Sequence, residues 1–367
     1  MNKIKVGITQ GDINGVGYEL IFKTFQDEEM FELCTPVVYG SPKVATYQRK
    51  SLNMQTNFYV CNSIDDVQDG CLNILNCFGE TEIKVEFGTA TEEAGKAAFI
   101  SFNQAVNDLS QNKIDVLVTA PLNNGTIRGK DSVFPGHTKY IEKKLGDGHN
   151  ALTLLLNQDL RVALATSNIA VSKVAHVLTS EYLAEKIEVL NNTLKRDFYI
   201  DGPRIAVLAL NPGYESNDEK GDEDSVIIAP TVKKLFEEKK ICCFGPYRAD
   251  EFFANRNYRD FDAVLAMYHD QGTAPFNAIS EYEGVKFTAG LPVVRTAPMN
   301  TTEYNIAGKG EASESSLRKS IFDAIDIFRN RKRYDQAHSQ PLSRQYYEKR
   351  DDSDKLKLDQ VNESDTL

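Results

Sequence analysis

Histidine is scarce in this chain: His137, His149, His176, His269 and His338 are all that 367 residues contain. A site built on several imidazoles therefore has few candidates. No run of 18 apolar residues occurs, which excludes a transmembrane helix from the readings. The start, MNKIKVGITQGD, has two lysines but too short an apolar stretch for a secretory leader, so a cytoplasmic location is expected. The six cysteines (Cys34, Cys61, Cys71, Cys77, Cys242 and Cys243) form no C-x-x-C pair, and reduced, buried thiols are expected rather than a zinc or redox site. There is no basic block either. With 42 Lys and Arg against 53 Asp and Glu, the net charge of -11 excludes nucleic acid as the expected partner. Internal repeats are absent.

What is present is an alternation of strands and helices. Lys5–Thr9, Pro36–Tyr39, Asp115–Thr119, Arg161–Thr166, Arg204–Leu210 and Ala263–Met267 read as short apolar strands of the parallel-sheet type. Glu92–Leu109 is the clearest amphipathic helix, with Ala94, Ala98, Phe102, Ala105, Val106 and Leu109 on one face. Helices are also expected over Thr179–Leu194, with Thr179 or Ser180 as N-cap, over Val226–Lys240 and over Glu311–Asn330. The order implies a mostly parallel, helix-covered α/β sheet. Residues 1–331 read as one two-lobed unit, and 332–367 as a charged, mobile tail.

Several blocks carry residue types that chemistry needs. The run Ala263–Gly272 (AVLAMYHDQG) delivers His269 and Asp270 to the C-terminal end of a buried strand, where open α/β sheets bind ligands. The turn Gly11–Gly17 precedes a helix and either holds an anion or simply connects strand to helix. Phe134-Pro-Gly-His-Thr138 opens a helix, placing His137 and Thr138 near free backbone N–H groups that suit a phosphate. Gly290-Leu-Pro-Val-Val-Arg295-Thr offers a guanidinium for bidentate recognition of carboxylate or phosphate.

In this order and spacing, the blocks ITQGDINGVGYEL (8–20), VTAPLN (118–123), FPGHT (134–138), VALATSNIAVSKV (162–174), LALNP (208–212), GPYRAD (245–250), MYHDQG (267–272), GVKFTAGLPVVRT (284–296) and IAGKG (306–310) resemble the 4-hydroxythreonine-4-phosphate dehydrogenase family of pyridoxal phosphate biosynthesis. The resemblance covers about residues 3–331. It implies an isocitrate/isopropylmalate-dehydrogenase-like fold of two α/β lobes around a cleft, working as a homodimer. It also implies NAD-dependent oxidation of a phosphorylated hydroxy-amino acid, followed by decarboxylation. A divalent cation held by three histidines would acidify the substrate hydroxyl and steady the enolate. By the same resemblance His137, Thr138 and Arg295 bind substrate and His269 is a metal ligand.

The family pattern fails at the other two ligands. Asn168 stands in ATSNIA where T-H-x-P is usual, and Gly213 stands in LNPGYE where L-N-P-H-A-G is usual. An amide oxygen is a poor ligand for a borderline metal and glycine has none to offer. Asn277 replaces a substrate-binding lysine, Lys286 an asparagine, Asn124 a lysine and Lys139 a glutamate; D-H-G-T-A is replaced by Met299–Glu303. Three readings follow. The leading one is a catalytically impaired paralogue that still binds a phosphorylated metabolite. The second is an active dehydrogenase with a substitute Mg²⁺ or Mn²⁺ site from Glu215, Asp218, Asp250 and Asp270, although Glu215–Glu223 also reads as a solvated acidic loop. The third is a structural remnant or partner subunit.

Overall fold

The computed structural model describes residues 3–129, 132–213, 222–281 and 283–339. Its strands are β1 (Ile4–Thr9), β2 (Cys34–Gly40), β3 (Phe58–Cys61), β4 (Leu72–Asn76), β5 (Val116–Thr119), β6 (Arg128–Gly129), β7 (Ser132–Val133), β8 (Leu152–Leu156), β9 (Arg161–Leu164), β10 (Ile205–Leu208), β11 (Cys243–Tyr247), β12 (Ala263–Ala266), β13 (Val285–Ala289) and β14 (Arg295–Pro298). Apart from the small β6–β7 ribbon, they form one sheet of order β11-β10-β12-β9-β8-β13-β14-β5-β1-β2-β4-β3.

Two parallel blocks flank an antiparallel centre. The block β14-β5-β1-β2-β4-β3 is parallel throughout, as is β11-β10-β12-β9. Between them, β9–β8, β8–β13 and β13–β14 pair antiparallel. Each block is one α/β lobe, and the reversal between them is a topological switch point that leaves a crevice beyond the strand ends. The expected two-lobed, mostly parallel α/β architecture is what forms.

Helices cover both faces because the strands are apolar on both. Val116–Thr119 is buried at every position. Glu92–Ser110 lays its Ala94, Ala98, Phe102, Ala105 and Val106 stripe against the sheet, with Thr91 capping its N-terminus by accepting from Ala94 N. Thr179 likewise caps Ser180–Arg196 through Tyr182 N. Residues 224–228 wind as a wider π turn before the helix Ala229–Lys239, a later start than 226.

The last helix corrects the sequence reading. It runs from Ser315 to His338 rather than stopping at Asn330, so its end overlaps the segment expected to be a tail. The anchor is polar, which is why apolar patterning misses it. Arg331, 5% exposed, donates to both carboxylate oxygens of Asp197 at 2.6 and 2.9 Å and to the carbonyls of Leu291 and Pro292. The tail expectation for 340–367 lies outside the described residues. None of the six cysteines is in a disulfide. No helix among the described residues is long and apolar enough to cross a membrane.

Candidate functional site

A cavity of about 610 Å³ opens between the lobes, beyond the C-terminal ends of β5 and β9. Its walls include Thr119, His137, Thr138, Asn168, Lys286 and Arg295. Five residues singled out from sequence thus converge: the substrate residues His137, Thr138 and Arg295, the Asn168 ligand position and the altered residue Lys286.

Arg295, the first residue of β14, is buried to 5% exposure. Its Nε donates to Thr119 Oγ1 at 3.1 Å and its Nη1 to Thr288 Oγ1 at 3.2 Å; Nη2 also donates to Thr119 Oγ1. Nη2 further donates to His137 Nδ1 at 3.0 Å. A guanidinium has no acceptor, so Nδ1 must be unprotonated, which puts the ring proton of neutral His137 on Nε2. That Nε2 is buried and has no hydrogen-bond partner among the described residues. It is a donor held ready for a ligand oxygen. Gly136 helps: as N-cap of the helix His137–Leu145 it sits at φ 89°, a left-handed conformation that favours glycine, and no side chain caps the helix.

Burial drives the electrostatics. The His137 ring is packed against Phe102 and Phe134, with centroids 4.6 and 5.9 Å away. Desolvation, then the nearby Arg295 and Lys286 charges, hold its pKa well below the usual histidine value. Burial pulls Arg295 down to about 10, and burial followed by the Arg295 charge lowers Lys286. Stability tied to His137 is therefore complete above the ordinary imidazole pKa of about 6.5 and is lost as pH falls below it, since the unfolded chain takes up a proton that the folded site refuses. His137→Asn is expected to flatten the acid limb of the urea midpoint against pH; an unchanged limb refutes this electrostatic account.

The remaining expected residues lie elsewhere on the chain. His269 begins the helix His269–Ser280, not a loop, and its Nδ1 meets Asp270 Oδ1 at 2.8 Å. Asp270 and Asp250 line a second cavity of about 450 Å³ with Asn211, Pro212, Arg248 and Gln271. Gly213 follows Pro212 at φ 66°. Asp250 is ion-paired to Arg248 at 2.9 Å, which holds its exposed carboxyl below the usual range. Asn277 is exposed on the same helix as His269. Glu215 and Asp218 lie outside the described residues. Within one chain, Asn168 borders the interlobe cavity, whereas Tyr268 and Asp270, on either side of His269, border the other one.

The metal implied by the resemblance does not fit the donors present. Among the described residues no group of three or more His, Cys, Asp or Glu could hold an ion. Gly213 offers no side chain, and the loop residue Asn168 is exposed at φ 57°. The anion option for Gly11–Gly17 also fails. The turn is fully buried, Val16 N donates to Thr302 O at 3.2 Å, and a Cβ on Gly15 would sit 2.6 Å from that oxygen. This turn is a packing surface.

Sequence reasoning missed part of the cavity wall: Tyr182, Glu185 and Lys186. Glu185 accepts from Asn150 Nδ2 at 2.7 Å, and Lys186 Nζ lies 5.1 Å from the Tyr182 ring centre. The signal was their i, i+3, i+4 spacing beside the apolar stripe of Ser180–Arg196.

Comparison with known proteins decides the family. The model of pyridoxal phosphate biosynthetic protein PdxA matches residues 32–324. The chain belongs to the PdxA family. A 4-hydroxythreonine-4-phosphate dehydrogenase of Bacteroides thetaiotaomicron is 53% identical over 362 residues, covering 99% of both chains. One from Sulfurihydrogenibium sp. is 35% identical over 90% of this chain and 100% of that protein. The crystal structure of 4-hydroxythreonine-4-phosphate dehydrogenase from Klebsiella pneumoniae superposes with a TM-score of 0.75 at 27% identity, covering 89% of this chain and 98% of that one. The PdxA match carries the fold expectation with it, and the likeness extends past the blocks that first suggested it.

Proposed function

We propose that this PdxA-family chain binds a small phosphorylated hydroxy acid in the interlobe cavity and that its metal-dependent dehydrogenation is impaired. One observation carries the binding half. Arg295 and Lys286 are cations in the cavity wall with no carboxylate partner among the described residues. Burying such charges unpaired costs several kcal/mol, which a bound phosphate or carboxylate offsets. The adjoining helix start and the free Nε2–H of His137 supply further donors. The family model, pyridoxal phosphate biosynthetic protein PdxA, supports pyridoxal phosphate biosynthesis as the setting, and the relatives' name, 4-hydroxythreonine-4-phosphate dehydrogenase, supports the reaction class; NAD as the oxidant is what the resemblance implies.

The impairment half rests on Asn168 and Gly213, since losing two of three nitrogen ligands removes most metal affinity. A homodimer is part of the proposal: Asn168 borders the interlobe cavity while the neighbours of His269 border another, and a second copy would supply the other half. The reading with a substitute Mg²⁺ or Mn²⁺ site has one favourable observation, that Asp250 and Asp270 border the same cavity.

Thermal unfolding with and without millimolar 4-phosphohydroxy-threonine tests the binding. We expect stabilisation of the natural chain, weakened in Arg295→Ala by roughly 1.5–3 kcal/mol of binding free energy, the worth of a charged hydrogen bond. Indifference of both forms would leave the structural-remnant reading. The same ester with NAD is expected to yield no NADH. Robust NADH production abolished by a chelator would favour the carboxylate-site enzyme.

A further inference from the structure

Where the metal donors are lost, a lysine has been gained. Lys286 stands in the middle of β13, paired across the sheet with Ala297 and Leu155. Arg295 begins β14 two residues before Ala297 and donates to Thr288, two residues beyond Lys286. Lys286 and Arg295 are therefore diagonal neighbours on one face of the β13–β14 pair, the face that lines the cavity. The lysine is largely buried, yet its position in the wall gives ligand access. Its ammonium has no ion pair or hydrogen bond among the described residues. It faces a guanidinium and an imidazole.

An amine desolvated beside another cation gives up its proton readily and becomes a nucleophile toward carbonyl carbon. The cavity wall also carries Lys139, Glu142, Glu185 and Lys186, but the charge that acts on Lys286 is Arg295, and the adjacent His137 is held neutral. The lowered pKa of Lys286 has the direction this requires.

We propose that Lys286 forms an imine with a phosphorylated β-keto acid in the interlobe cavity and serves as electron sink for its decarboxylation. The proposal rests on the reading that the cavity binds a phosphorylated metabolite. The step balances without metal or oxidant. The Nζ lone pair adds to the keto carbon, and the carbinolamine loses water to give an iminium. The bond to the carboxylate then breaks, its electron pair moves toward the iminium to form an enamine, and carbon dioxide leaves. A proton from water returns to carbon, and hydrolysis of the imine frees the ketone and restores Lys286. The neutral His137 Nε2–H, unpartnered among the described residues, offers a hydrogen bond to the carbonyl oxygen, and the proton that leaves with that oxygen as water comes from solvent. A β-keto acid of this kind is the immediate product of oxidising a 3-hydroxy acid, so the reaction that supplies it is an alcohol dehydrogenation.

The test uses the full-length natural chain with EDTA present and dihydroxyacetone phosphate as the carbonyl probe. Borohydride reduction should fix one adduct per chain, mapped by peptide mass spectrometry to Lys286. Lys286→Arg keeps the cation but cannot form an imine, so the adduct should vanish while thermal stabilisation by the probe persists. Lys286→Gln should also lose the adduct. Stabilisation without an adduct, or label spread evenly over surface lysines, overturns the imine but leaves the binding reading standing. Neither stabilisation nor adduct overturns both. Acetoacetate supplied with inorganic phosphate gives the second readout: carbon dioxide release should be lost in Lys286→Arg, and equal release by both proteins refutes the electron-sink role.

Discussion

Zinc titrated into the purified chain at neutral pH should find no site tighter than roughly micromolar, because one imidazole beside an amide cannot approach a three-nitrogen site. Installing Asn168→His together with Gly213→His should tighten zinc binding by about a hundredfold or more, the scale on which single ligand-shell changes already act. The geometry adds a condition. Asn168 borders the interlobe cavity while His269 lies beside the other one. The regained affinity should therefore rise with protein concentration over the range where the proposed homodimer would assemble. Tight stoichiometric zinc in the natural chain would refute the loss of the site. Full activity should not return, since Asn277 and Lys286 also depart from the family pattern and such residues act as a unit.

Asp197→Ala is expected to destabilise the chain by about 3–5 kcal/mol, the cost of leaving one member of a buried ion pair without its partner. Arg331 and Asp197 are 5% and 2% exposed, and their bidentate contact pins the last helix to the C-terminal end of Ser180–Arg196. Asn330 reinforces it by donating to Asp197 O at 2.9 Å. Urea unfolding measures the loss. Replacing both residues by leucine should cost less than the sum of the single changes, and strict additivity would show that the pair is not coupled.

How far the sequence could be read depends on which physical signal each element carries. The apolar runs of β1, β5 and β12 are unmistakable because they are buried on both faces. The Leu-rich β8 is just as buried, but a run such as LTLLL does not by itself distinguish strand from helix. In β13 the pattern is mixed, since Lys286 faces the cavity while Val285 and Phe287 face the core. Those two strands make the antiparallel centre, so the lobe junction was the least legible part of the fold. Within the site, His137 and Arg295 were legible as motif residues; the hydrogen bond joining them was not, because it spans 158 positions. The second cavity was hidden for a related reason. By the resemblance His269 and Asn168 belong to one constellation, and only the folded chain shows Asn168 at the interlobe cavity and the neighbours of His269 at another.

The late position of the last helix has a consequence for how the chain is made. Ser315–His338 packs on β14, β5 and β1, so the first strand to leave the ribosome is covered on that side by nearly the last described element. β5 in turn waits for β14, about 180 residues downstream, before its second edge is paired. The N-terminal lobe cannot close as an independent unit during synthesis. Its apolar strands stay open to chaperones, and to misassociation, until translation has passed residue 338.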